Sequence, residues 1–302
     1  MTDTLPEDFR SGFVAVVGRP NVGKSTLMNA LLGQKVAITS PKAQTTRRRQ
    51  LGILTDDQMQ MIFVDTPGIN TPRRKLDDFM RREALSSLQE VDVALWVVDI
   101  TTLPDDHEQA VAELLQKTDG PLPVIIAMNH SDRLKPEHVL PHTEAYRALV
   151  PAAEWMLTSA TRGDNLEKLR AMLIAALPVG PQYYPPDQVT DTLLRDLAAE
   201  LIREAALNLL KQEVPHGVAV EIESFIEVPG RAPHIQAALW VERANHKAIV
   251  IGKGGQMLKQ IGMAARKEIE AQLEQQVFLE LFVKVVEDWR DDPRRLDTLG
   301  YR

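Results

Sequence analysis

Gly18-Arg-Pro-Asn-Val-Gly-Lys-Ser25 follows the pattern GxxxxGK[ST], and each fixed position has a chemical reason. Glycines let a tight loop bring backbone N–H groups up to a polyphosphate, a lysine supplies a point charge, and a hydroxyl at the last position meets Mg2+. Here the amides from Asn21 through Val22, Gly23 and Lys24 to Ser25 face the phosphates. Lys24 reaches the β and γ phosphates and Ser25 ligates the metal. Gly18, Arg19, Pro20 and Thr26 complete the candidate phosphate-contacting set. A second element is Asp65-Thr66-Pro67-Gly68, directly after the apolar run Met61 to Val64. That places Asp65 at the C-terminal edge of a strand, where ligands collect in an open α/β sheet. Its carboxylate then holds Mg2+ through water, and the Gly68 amide follows the γ phosphate. A third element, Asn129-His130-Ser131-Asp132, comes directly after the apolar run Val124 to Met128.

These groups need a scaffold that presents strand ends side by side. From Gly12 to Pro178, short apolar runs alternate with helical stretches, the signature of a doubly wound, mostly parallel α/β sheet. Strands are expected at Phe13 to Val17, Met61 to Val64, Val93 to Val98, Val124 to Met128 and Glu154 to Thr158. Helices are expected at Lys24 to Leu32, Leu76 to Leu88, Asp105 to Lys117, Pro136 to Leu149 and Asn165 to Leu177. The stretch Pro178 to Pro186 denies both helix and sheet continuation. It bounds a first domain of residues 1–180, with a linker to about 187, and a second of 188–302. The second reads as a helix from about Asp191 to Leu210, strands near Val218 to Val228 and Ile235 to Val241, one or two helices to about Leu273, and a strand from Val277 to Val286. That order is a smaller α+β domain.

Composition narrows the classes. The 302 residues, 44% hydrophobic and 25% charged, are those of an ordinary globular protein of two domains. No run approaches the roughly 18 apolar residues of a membrane span; Val91 to Ile100 is interrupted by Asp92 and Asp99. Met1 to Arg10 has no apolar signal core, so a cytoplasmic protein is expected. The absence of cysteine excludes disulfides, thiolate metal sites and thiol chemistry together. A net charge of −7 argues against a chain that coats nucleic acid nonspecifically, so any such binding must come from a local patch.

The phosphate loop, Asp65 to Gly68, Asn129 to Asp132 and a later Ser159-Ala160, in that order, resemble the translation-factor-related class of P-loop GTPases. The resemblance implies that Asp132 selects guanine by accepting from N1–H and the exocyclic amine, that Asn129 braces the loop, and that the Ala160 amide contacts the guanine oxygen. His130 departs from the pattern, which has a lysine whose stem lies over the base. The resemblance makes Ser40 to Arg49, with Gln44-Thr-Thr-Arg-Arg-Arg49, switch I, Thr46 rather than Thr45 being the Mg2+ ligand. Gly68 to Lys75 becomes switch II. Ile69 follows Gly68 where small signalling GTPases carry the glutamine that orients water. The likeness therefore runs to GTPases with a hydrophobic residue there, some of which recruit K+ through a phosphate-loop asparagine. Asn21 stands at that position, either holding K+ with switch I or bracing the loop. Lys24, Thr46, Asp65, Gly68 and Asn21 are thus the candidates for catalysis.

In the second half, Gly252-Lys253-Gly254-Gly255 is a GxxG loop between an apolar segment and a helix. KH domains use this loop to bring backbone amides close to four nucleotides. Arg243, Lys247, Lys253, Lys259, Arg266 and Lys267 surround it with no Asp or Glu from Arg243 to Lys267. Lys247, Ile251, Gly252, Lys253, Gly254, Gly255 and Lys259 are the candidate RNA contacts. The whole chain is similar to the Era family, bacterial GTPases with a C-terminal KH domain, here of type II. The resemblance implies GTP and GDP with Mg2+ as ligands, the 3′ end of small-subunit ribosomal RNA and the 30S subunit as partners, and peripheral contact with the inner membrane. The tail from Trp289 to Tyr301 is typical of the family; taken alone it reads as a frayed end. A competing reading makes the chain a GTP-dependent membrane or protein adaptor with the KH fold as platform, and an ATPase would require Asp132 to be incidental.

Overall fold

The computed structural model describes residues 6–42, 45–68, 74–117, 122–228 and 230–301. The chain divides into two compact units, one of Met1–Ala37, Thr46–Thr71 and Met80–Asp191, the other of Ile38–Thr45, Pro72–Phe79 and Thr192–Arg302.

In the first unit, strands β1 (Arg10–Val17), β2 (Gln50–Thr55), β3 (Met59–Asp65), β4 (Val93–Asp99), β5 (Val124–Asn129) and β6 (Glu154–Leu157) form one sheet in the order β2-β3-β1-β4-β5-β6. All pairs are parallel except β2 with β3. The continuous apolar runs of β1, β3, β4 and β5 suit strands covered on both faces. Val14, Val16, Phe63, Leu95 and Val97 pack on one face against α1 (Lys24–Leu32) and α5 (Leu166–Ala176). Ala15, Val17, Trp96, Val98 and Met128 pack on the other against α3 (Asp106–Gln116) and α4 (Val139–Leu149). Glycines 23 and 33, both left-handed, bracket α1, and an Asp105/Glu108 capping box starts α3. One expected helix begins later than its sequence suggests: Pro136–His138 is a 3-10 turn ahead of α4. The Pro-rich stretch makes neither helix nor continuing strand, only an isolated bridge from Val179 to Arg10. It is nevertheless fastened to this unit, because buried Gln60 accepts from Tyr183 N and Tyr184 N (2.7 and 2.9 Å) and donates to Tyr184 O (2.8 Å).

The second unit carries α6 (Leu194–Leu209), β7 (Ala219–Ile226), β8 (His234–Val241), α7 (Ala244–Ile251), α8 (Gln256–Leu273) and β9 (Phe278–Val285). Its sheet runs β7-β8-β9, antiparallel then parallel. Leu201, Ile202 and Ala205 of α6 and Ile261, Ala265 and Ile269 of α8 join Ile235, Ala237 and Leu239 of β8 in one core. The tail is ordered: Trp289 is fully buried with Nε1 donating to Gly217 O at 3.0 Å, and a short α9 (Pro293–Thr298) is capped by Asp292. The frayed reading of that segment is therefore wrong.

Two segments from the first half of the sequence belong to this unit. Ile38 enters its core, Glu204 accepts from Thr39 N (2.8 Å), Lys42 Nζ donates to Leu210 O (2.9 Å), and buried Arg203 donates to Thr45 O. Arg74 Nη1 reaches Glu242 and Asp291, and the ring of Phe79, on helix α2 (Lys75–Ser86), meets that of Tyr301 at 5.6 Å. A boundary drawn only at residues 180–188 misses these exchanges, which depend on tertiary packing. Among the described residues no helix is long and apolar enough to cross a membrane.

Candidate nucleotide site and nucleic-acid interface

The phosphate loop is held by its neighbours so tightly that three glycines are dictated by contact. A Cβ at Gly18 (φ 146) would stand 2.2 Å from Val97 O, and one at Gly23 (φ 94) 2.4 Å from Asn129 Nδ2. A Cβ at Gly68 would meet Pro20 at 2.8 Å. Asn21 is exposed and left-handed at φ 66. Gly23 caps α1 without a side-chain bond, leaving the first-turn N–H groups of that helix for an anion. Lys24 is buried, and Nζ donates to Gly18 O (3.0 Å) and Arg19 O (2.9 Å). Burial lowers its pKa to about 8, against the pull of nearby Asp65. Arg19 differs from expectation: its guanidinium is turned to α3, with Nε 2.8 Å from Glu108 and Nη1 3.3 Å from Asp105. Its side chain therefore anchors the loop, and only its backbone is left for phosphate.

Ser25, Thr46 and Asp65 come together. Ser25 Oγ and Thr46 Oγ1 lie 2.8 and 2.9 Å from Asp65 Oδ2 and 3.0 Å from each other. Asp65 is fully buried; burial raises its pKa, while Lys24 and the two hydroxyls lower it. Its Oδ1 is buried with no hydrogen-bond partner among the described residues. An all-oxygen set with an unpartnered carboxylate oxygen fits a hard divalent ion such as Mg2+. Thr45 turns away, its hydroxyl donating to Lys42 O at 2.6 Å, so Thr46 is the threonine at this cluster. The Thr66 hydroxyl is committed to Val16 O at 2.9 Å, which leaves that residue only its backbone for ligand. Gln44 and Ile69 lie outside the described residues, as does most of the segment expected to be switch II.

On the base side, buried Asn129 donates to Val22 O at 2.8 Å and accepts from Ala160 N at 3.0 Å. One amide thus ties the phosphate loop, the end of β5 and the Ser159-Ala160 turn together. Ser131 N donates to Thr158 O at 3.0 Å, fixing the turn that presents Asp132. The Ser159 hydroxyl beside it holds the Asp132 carboxyl below its ordinary range, and Asp132 Oδ1 is buried without a hydrogen-bond partner among the described residues. An ionised carboxylate offers acceptors only, which is what a guanine edge with two adjacent N–H groups requires. His130 is left-handed at φ 65 with Nδ1 3.2 Å from Asp99 Oδ2. Asp99 and Glu108 escape a reading of the sequence alone. Only Glu108 carries a sequence signal, the Asp-x-x-Glu of a capping box.

In the second unit the GxxG loop joins α7 to α8. Gly252 (φ 72, ψ 176) is dictated by the protein itself, because a Cβ there would lie 2.7 Å from Met257 Cβ. Gly254 (φ 59) and Gly255 (φ 78) have open space beside them. Lys253 and Lys259 are exposed, Lys247 is half-buried, and half-buried Ile251 packs against the core. Arg266 lies 3.7 Å from Glu270, which dilutes its charge at the loop.

Residues 13–130 match the family model described as 50S ribosome-binding GTPase, and residues 213–290 match a KH domain. The GTPase Era of Geotalea uraniireducens is 47% identical over 98% of this chain and 99% of its own length. That of Lactobacillus helveticus is 48% identical over 98% and 97%. Among solved structures, Era in complex with MgGDPNP and nucleotides 1506–1542 of 16S ribosomal RNA is 41% identical with a TM-score of 0.93, covering 97% of this chain and 99% of that one. A single-residue variant of Aquifex aeolicus Era bound to GDP.AlF4- is also 41% identical, with a TM-score of 0.92 and the same coverage. Sequence, fold and the order of both units agree, and the chain belongs to the Era family of GTPases.

Proposed function

We propose that this GTPase binds small-subunit ribosomal RNA near its 3′ end through the Gly252–Gly255 loop, and that GTP binding and hydrolysis time this contact during maturation of the 30S subunit. The RNA part is supported by the open, basic GxxG loop and by the related Era structure that holds a 16S ribosomal RNA fragment. Cytoplasmic location and peripheral contact with the inner membrane rest on the family resemblance. Residues 1–180 and 188–302 are the two functional halves, with Ile38–Thr45 and Pro72–Phe79 packed into the second.

Ser25, Thr46 and Asp65 would hold Mg2+, which supplies charge neutralisation on the β and γ phosphate oxygens. Lys24 adds a fixed positive charge there, and amides from Asn21 to Ser25, with that of Gly68, orient the terminal phosphate. With switch I, Asn21 would hold K+, which would supply the charge that a hydrophobic residue at position 69 cannot; its alternative role is to brace the loop. The reading is carried by Asp132, a half-buried, ionised carboxylate with an unpartnered oxygen beside the braced Asn129–Ala160 junction. Asp132→Asn exchanges one acceptor for a donor, so affinity should pass from GTP to xanthosine triphosphate, each by about a hundredfold. Competition binding with both nucleotides checks this. A variant that keeps GTP and gains nothing for xanthosine triphosphate removes the base-selector role.

A further inference from the structure

The residue after Asn129 is where this chain parts from the lysine expected there, and the imidazole in its place lies at ion-pair distance from Asp99 without the alignment of a hydrogen bond. Asp99 ends β4 directly opposite Asn129 in the parallel register. One Asp99 oxygen accepts from Thr101 N and Oγ1 at 3.0 and 2.6 Å, and the other lies 3.2 Å from His130 Nδ1. The second ring nitrogen faces the phosphate loop: His130 Nε2 would stand 3.5 Å from a Cβ on Gly23. The ring therefore spans from the β4 edge to the loop, alongside the Asn129 amide that bridges to Val22. Its charged surroundings are Asp99 from β4, Asp132 and Arg133 on its own turn (3.9 Å from each other), and Lys24 at the start of α1, whose ammonium is engaged by Gly18 O and Arg19 O.

Resting on the guanine-nucleotide reading above, we propose that Asp99 orients His130 so that the ring's charge state tunes nucleotide affinity, tighter with imidazolium and weaker with neutral imidazole. The negative charge of Asp99, 3.2 Å away, favours the tautomer that keeps its proton on Nδ1 when the ring is neutral. The proton lost on neutralisation is then the one on Nε2, beside Gly23. There a cationic donor becomes a lone-pair acceptor next to the loop that cradles a polyanion. The attraction of a cation for an overlying base is lost with it. Histidine is the side chain whose charge changes between pH 5 and 8, so the effect falls in a range where a lysine stays charged.

The test is the affinity for a fluorescent GDP analogue from pH 5.5 to 8 in constant Mg2+, for the wild type, His130→Lys and Asp99→Asn. The phosphates of the nucleotide titrate in the same range, equally for all three proteins, so the profiles are read relative to His130→Lys. The wild-type Kd should rise about three- to tenfold more than that of His130→Lys as pH increases. Asp99→Asn, which keeps the shape but removes the orienting charge, should bind more weakly at pH 7. Parallel wild-type and His130→Lys profiles overturn the proposal while leaving the nucleotide site in place. Absence of guanine-nucleotide binding by all three proteins overturns both.

Discussion

The two glycine-bearing loops use the same residue for opposite purposes. In the phosphate loop, Gly18 and Gly23 are hemmed in by Val97 O and Asn129 Nδ2, and Gly68 by Pro20. That loop is a mould whose shape is set by its neighbours. Of the three glycines in the GxxG loop, only Gly252 is crowded, by Met257, while Gly254 and Gly255 are left-handed with nothing beside them. Their lack of a side chain serves a backbone conformation and an approach from outside. A small ligand of fixed shape rewards a preorganised cradle, whereas a nucleic-acid backbone needs an exposed, sterically bare turn.

The sharpest way to break this contrast is to add one methyl group to each loop. Gly23→Ala should displace Asn129, weakening GTP binding by at least about a hundredfold and destabilising the first unit by about 3 kcal/mol. Gly254→Ala should cost only the left-handed conformation, about 1 kcal/mol, and leave GTP affinity unchanged. Titration with a fluorescent nucleotide and thermal melts of both variants read the two numbers; equal nucleotide losses would erase the distinction. A smaller effect concerns the exposed rim of the cradle. If Asn21 holds K+, replacing Na+ by K+ at equal ionic strength should raise GTP turnover about tenfold, and Asn21→Ala should abolish the difference. Equal rates in both salts would leave the bracing role.

The smallest expected effect lies behind the loop, at the Arg19 anchor. Burial, followed by the hydrogen bond with Asp105, raises Glu108 from an ordinary 4.5 to about 7, against the pull of Arg19. The folded state then holds more protons than the unfolded chain between pH 4.5 and 7, so this contribution is full below 4.5 and is lost as pH rises through 7. Glu108→Gln should flatten that part of the stability profile, by about 2 °C in Tm across the window. An unchanged slope would show that the carboxyl is already ionised at its Arg19 partner.

Legibility in the sequence follows the reach of the forces involved. Helix α1 is placed to the residue, because the phosphate motif fixes its start and Gly33 its end. Asn129, Asp132 and Asp65 are legible because strand ends carry them into the site at fixed offsets. Strand β2 is not. It follows three arginines, and its buried Leu51 and Ile53 alternate with Gly52, too short a signal to separate from a loop. The Asp99–His130 pair, the turn of Arg19 toward α3, and the burial of Arg203 against Thr45 O join residues far apart in sequence. No periodicity or spacing announces such pairs. The docking of the Pro-rich stretch through Gln60 is hidden for the same reason.

If nucleotide and RNA are held by separable sites, one moulded and one open, a double substitution in the second must leave the first untouched. Lys253→Asp with Gly254→Asp puts two carboxylates into a turn that has room for them, facing where phosphates must approach. Fluorescence anisotropy with a short single-stranded RNA copied from the 3′ end of small-subunit ribosomal RNA, at two salt concentrations, should show affinity reduced by at least about tenfold and a shallower salt slope. GTP affinity, measured on the same protein, should stay at the wild-type value, and the melting temperature should fall by no more than about a few degrees, the cost of a side chain in the left-handed conformation at position 254. A double variant that binds this RNA as the wild type does, with the same salt slope, would move the RNA site elsewhere on the chain.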